Sequence, residues 1–179
     1  MRKLILLLLF PAFLFAQDFR KMSFGQSIEE LKETYPTIEF TVENEAGTLF
    51  LAHADLVAGL ESTVAYAFVE NKFSAGYYTF RTDIFKSAEE ITKDYKSVSS
   101  ILNDKYEMVE NNTWHDDSYK DDPETALYYR LVDFSEQYVT DKVIIAHSLS
   151  KSGPFYTHMV GYFSPSMVEF VNAKNDSDF

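Results

Sequence analysis

The 179-residue sequence has no cysteine, six glycines, five prolines, and 16 basic residues against 28 acidic ones. The missing cysteine excludes disulfides, thiol catalysis and cysteine-ligated metal centres, so stability has to come from packing. The scarce glycines form no Walker loop, no dinucleotide-binding pattern and no G-x-S-x-G elbow, and no H-E-x-x-H zinc motif occurs. No cofactor is expected. The acidic excess, a formal charge of −12, repels nucleic acid and gives no hold on an anionic membrane surface. Charge is also absent from one run, Leu4 to Ala16, which follows Met1-Arg2-Lys3. That run is shorter than the roughly 20 apolar residues a membrane span needs. Basic start, apolar middle and small Ala16 predict a secretory signal peptide over 1–16 and a periplasmic or secreted protein with no membrane span after cleavage.

Residues 17–179 suit a single domain, and 13 of the 16 Phe, with all 12 Tyr and the one Trp, supply a core. Two stretches share a plan. "SIEELKETY" starts at Ser27 and "SAEEITKDY" at Ser87. Each opens on a serine N-cap with glutamate three residues on, Ser27 with Glu30 and Ser87 with Glu90, a capping box. Glu29 and Glu89 fall in the first turn, where the helix dipole favours negative charge. Ile28, Leu31 and Tyr35 match Ala88, Ile91 and Tyr95 as one helical face. Pro36 ends the first helix near Tyr35; the second continues through Val98 and Leu102 to about Lys105. Alternating, aromatic and β-branched segments follow each helix: "IEFTV", "TLFLAHADL" and "STVAYAFVENKFSAGYYTF" after the first, and "YEMVENN", "ALYYRLVDF", "KVIIAHSL" and "PFYTHMVGYF" after the second. The expected fold is α+β. It has two helix-plus-antiparallel-strand repeats, about 20–82 and 83–165, with the helices on one face of antiparallel sheet. Pro165 starts a short C-terminal helix reaching Ala173.

"FRKMSFGQSIEELKETYP", with Phe24, Gly25, Gln26 and Ser27 ahead of Glu29 and Glu30, looks like the opening of small exported bacterial modules. The tandem helix-plus-meander plan resembles the β-lactamase-inhibitor-protein fold and, more distantly, small lipoproteins of outer-membrane assembly. The resemblance implies a non-catalytic, protein-facing module. The second copy has Ile84-Phe85-Lys86 where the first has its aromatic–Gly step, and the inhibitors' disulfides and the lipoproteins' cysteine are absent. No functional residue is therefore carried over.

Three stretches carry candidate chemistry. In "WHDDSYKDDPE", Asp116, Asp117, Asp121, Asp122 and Glu124 supply oxygen ligands of the kind Ca²⁺ takes, but without the glycine a calcium loop uses; the alternative is a solvated loop. Trp114 beside them is a core anchor or an interface contact. In "KVIIAHSLSKSGPFYTHMVGYF", a two-residue turn at Ser152-Gly153 sets His147 opposite His158 on one sheet face, a pair suited to a metal or a pH response. A one-residue slip separates them. "SLSK" at Ser148–Lys151 matches the S-x-x-K string of serine acylases, yet it ends a strand where the chemistry needs a helix. Last, Tyr77 and Tyr78, and Tyr128 and Tyr129, are adjacent pairs on expected strands, so one of each faces away from the helices. That predicts a tyrosine-bearing open face that binds an envelope or extracellular protein. The alternative is an exported metal-dependent or hydrolytic enzyme using His147, His158 and the 116–124 acids.

Overall fold

The computed structural model describes residues 18–82 and 86–168. The expected signal peptide and the end of the expected C-terminal helix lie outside them. Within them the chain forms α1 (Ile28–Thr34), β1 (Thr41–Glu45), β2 (Thr48–Val57), β3 (Leu60–Val69), β4 (Lys72–Phe80) and α2 (Ala88–Asn103). It continues through β5 (Met108–Glu110), β6 (Thr113–Trp114), a 3₁₀ turn (Asp117–Tyr119), α3 (Pro123–Tyr129), β7 (Val132–Val139), β8 (Ile144–Ser152) and β9 (Phe155–Phe163). Residues 165–168 start a further helical turn behind Pro165. The fold class is α+β.

Both capping boxes form. Ser27 Oγ accepts from the Glu30 amide and Ser87 Oγ from the Glu90 amide, while each glutamate accepts from its serine's backbone N–H. In α1, Asn71 from the β3–β4 turn adds a second tie, accepting from the Ile28 amide and donating to Glu29. Glu70 and Asn71 both have positive φ, 50° and 60°, the requirement of a type I′ hairpin turn.

All paired strands are antiparallel, in the order β1-β2-β3-β4-β9-β8-β7-β5, with β6 also on β7. One meander runs β1 to β4, a second runs β7 to β9, and they meet where β4 pairs β9. Helices α1, α2 and α3 lie on one face. Leu31 of α1 packs with Leu51, Val64, Tyr66, Phe68 and Phe73, and the N-terminal Phe19 and Met22 close that cluster. Val98 and Leu102 of α2 meet Phe80, Tyr138, Ile145 and Val160. Ile91 and Tyr95 join Ala126 and Leu127 of α3 over Val132, Phe134 and Leu149. By period-2 alternation and the strand registers, these strand residues share one face.

Three expectations are corrected. "ALYYRLVDF" is not one strand: Asp122 caps α3 by accepting from the Thr125 amide, Pro123 takes the first turn, and Arg130 ends the helix in the left-handed region at φ 61°. Tyr128 and Tyr129 are therefore helical. "IEFTV" forms a strand only from Thr41, and every residue of β1 is exposed because it is the sheet's outer strand. The β8–β9 turn sits at Gly153-Pro154, with Ser152 opposite Phe155, two residues out of the expected pairing. Gly153 has φ 60°, and proline cannot, so glycine takes the first central position as a type II′ turn demands.

Candidate functional site

Two places concentrate chemistry: the sheet face opposite α1, α2 and α3, and a polar chain buried beneath α2.

The face opposite these three helices has a floor of small residues with larger ones standing above it. Ala52, Ala65, Thr63 and Thr79 form a shallow concavity of about 440 Å³ bounded by Phe50, Tyr77 and Met159. Tyr77 meets Phe50 at 6.2 Å between ring centroids and Phe163 edge-on at 5.5 Å. The Phe163 ring folds across Gly161, where a Cβ would overlap it. Met167 covers Ala67 and Ala75 at one end, with Phe50, Tyr77 and Phe163 around it. Phe50, Tyr77, Met159 and Phe163 remain half-buried. Burial pushes the Tyr77 hydroxyl's pKa up, so it is a neutral phenol.

Beneath α2, Glu136 of β7, His147 of β8 and His158 of β9 lie on the covered face, all buried. The two-residue shift in register keeps both histidines on that face, because parity is unchanged; His147 sits opposite Val160 and His158 opposite Leu149. Glu136 Oε2 lies 3.0 Å from His147 Nδ1, and the two Nε2 atoms are 2.9 Å apart. A carboxylate only accepts, so His147 Nδ1 donates to Glu136, its Nε2 accepts, and His158 Nε2 donates. Ser99 Oγ and Tyr138 Oη also donate to Glu136, at 2.8 and 2.9 Å. Tyr95 stacks on His147 with centroids 4.0 Å apart. Burial raises the Glu136 carboxyl, but His147, Ser99 and Tyr138 outweigh it and hold its pKa below the usual carboxylate range. Burial lowers His147 against the pull of Glu136, and it lowers His158 to about 3, helped by His147 and Lys86.

Serine, histidine and glutamate suggest acyl-transfer chemistry, but their connections do not support it. Ser99 donates to the carboxylate on the Nδ1 side of His147, while a serine nucleophile needs the opposite nitrogen, here occupied by His158. Nor does any group of three or more His, Asp or Glu among the described residues have the geometry to hold a metal ion. The chain organises the core.

The 116–124 acids are spent locally. Asp116 caps the 3₁₀ turn by accepting from Ser118, Asp117 pairs with Lys120 at 2.9 Å, Asp122 caps α3, and Glu124 lies 3.5 Å from Lys96. Asp121 is exposed. None of these contacts reaches His147 or His158. Trp114 is half-buried against Phe134. Tyr78 lies on the covered face beside Phe19 and Tyr162, with Arg20 5.6 Å from its ring centroid. Tyr128 and Tyr129 are exposed, and the Lys151 ammonium sits 3.7 Å from the Tyr128 centroid. Of the five aromatic candidates, only Tyr77 belongs to the open face. Glu136 and Ser99 escape a motif search; the signal for Glu136 is a carboxylate at the apolar parity of "VDFSEQYV", between Phe134 and Tyr138.

No protein-family model, curated protein or solved structure matches the chain. No helix among the described residues is long and apolar enough to cross a membrane.

Proposed function

We propose that the chain is an exported, non-catalytic module that binds an envelope or extracellular protein through the sheet face opposite α1, α2 and α3. One observation carries this: Phe50, Tyr77, Met159 and Phe163 stand half-buried over a floor of alanine and threonine that α1, α2 and α3 leave uncovered, Met167 reaching only one end of it. A sheet normally covers an apolar face or makes it polar, and an aromatic patch left open is the composition of a recognition surface. The paired capping boxes and the two meanders meeting at β4 and β9 support a duplicated unit, about 20–82 and 83–165, of the kind the β-lactamase-inhibitor-protein likeness implies. Export rests on the pattern of residues 1–16.

The test is site-specific photo-crosslinking in the source cell from Thr63 and Thr79, both exposed on the open face, against Glu33 on the outer side of α1. Adducts from the two threonines and none from Glu33 are the expected result. Adducts from all three positions, from Glu33 alone, or from none overturn the assignment.

A further inference from the structure

We infer that β1 takes the partner as an added strand, an extended segment that alternates cationic and apolar side chains; this rests on the open-face proposal and names the chemistry that meets it. β1 is the terminal strand, paired only with β2, so its outer backbone edge has no partner among the described residues. An unpaired edge is a template for strand addition, in which main-chain hydrogen bonds give affinity and alternate side chains give selectivity.

The two sides of β1 differ. On the open side stand Glu43 and Glu45, at the margin of the concavity, with Phe50 directly across from Glu43. Two of the residues lining that concavity are acidic and none is basic. Neither glutamate joins an ion pair among the described residues. On the other side Val42 is 58% exposed. A strand laid along β1 alternates its side chains between these two sides. Lysine or arginine on the open side would bring its charge to Glu43 and Glu45 and lay its aliphatic stem over Phe50. The intervening apolar residue would cover Val42.

Other occupants fit less well. The concavity is shallow and one-sided, whereas a small-molecule site encloses most of its ligand. A second copy of this chain would bring another −12 of charge and a like-charged edge. Nucleic acid is repelled for the same reason.

The experiment titrates acetyl-Lys-Val-Lys-Val-Lys-amide into the ¹⁵N-labelled protein and follows backbone amide shifts at low ionic strength. Saturable shifts confined to Thr41–Glu45 and adjoining β2 are expected. The E43Q/E45Q double variant should weaken binding about fivefold, the scale of two exposed ion pairs, and added salt should weaken it further. Val42→Lys should abolish it without unfolding the protein, since that side chain is exposed. Replacing Glu107 and Glu110 by Gln at the opposite, equally acidic end of the sheet should change nothing. Absence of binding, equal binding of the Glu-Val-Glu-Val-Glu peptide, or indifference to E43Q/E45Q overturns the inference. If any of those occurs while Thr63 and Thr79 still crosslink, only the cationic-strand assignment falls and the open face stands.

Discussion

At Gly76 a Cβ would overlap the ring of Phe19, which is buried against Tyr66, Phe73, Tyr78 and Tyr162. The glycine is thus the seat of an aromatic from the N-terminal segment. Gly76→Ala should force Phe19 off its site and lower stability by about 2 kcal/mol, the scale of an overpacked core, read as a shift in urea midpoint with the slope preserved. Glu136 is the other residue that decides much alone. Removing its carboxylate leaves Ser99, Tyr138 and His147 donors buried with no acceptor. Glu136→Ala should cost about 3 kcal/mol by chemical denaturation and Glu136→Gln distinctly less, because an amide oxygen still accepts. Equal losses would show that volume, not hydrogen bonding, sets the cost. Neither residue was legible beforehand. The partner of Gly76 is some 57 positions upstream, and a glutamate in a strand reads as solvent-facing until its neighbours' parity is counted.

At the scale of elements, local chemistry was the readable part. Both capping boxes and the alternation of β2, β3, β4, β8 and β9 follow from side chains within a few residues of one another. Besides the late start of β1 at Thr41, two elements differ from the sequence reading, each for a physical reason. The apolar, aromatic run from Ala126 to Leu131 suits strand or helix equally; the cap and turn signals just upstream, Asp122-Pro123, decide for a helix. At the β8–β9 hairpin, glycine's need for positive φ moved the turn onto Gly153-Pro154, yet a two-residue shift preserved the face of both histidines. Asp122 gives a direct check. Asp122→Ala removes the cap from a helix of only 7 residues and should destabilise the protein by about 1 kcal/mol, with hydrogen exchange quickening first in α3. Loss of protection spread evenly over the sheet would mean that packing of Ala126 and Leu127, and not the cap, holds the helix.

The whole molecule couples its acid response to one place in the core, where the second meander lies under α2. The groups facing His147 and His158 there are Glu136 and Tyr138 from β7 and Tyr95 and Ser99 from α2, with Lys86 near His158 and itself paired to Asp94 at 2.9 Å. In the folded protein both histidines stay neutral below the pH at which an unfolded histidine, near 6.5, takes a proton. The unfolded chain therefore binds protons first as pH falls. Stability is fully present above about pH 6.5 and drains away below it, and for His158 the loss continues until its folded value of about 3 is reached. Glu136, held below its ordinary value, contributes stability above the usual carboxylate pKa and loses it at still lower pH, so the effects share a sign. From His158 alone the loss between pH 7 and pH 5 should be about 2 kcal/mol, measured as the fall in unfolding free energy from urea titrations at the two values. Because α2 bridges this site and the β4–β9 junction through Val98, Leu102, Phe80 and Val160, the loss should appear as one cooperative transition shifting as a unit. Replacing both histidines with glutamine should therefore remove most of the slope between pH 7 and pH 5, and a slope that survives the replacement would locate the acid sensitivity elsewhere.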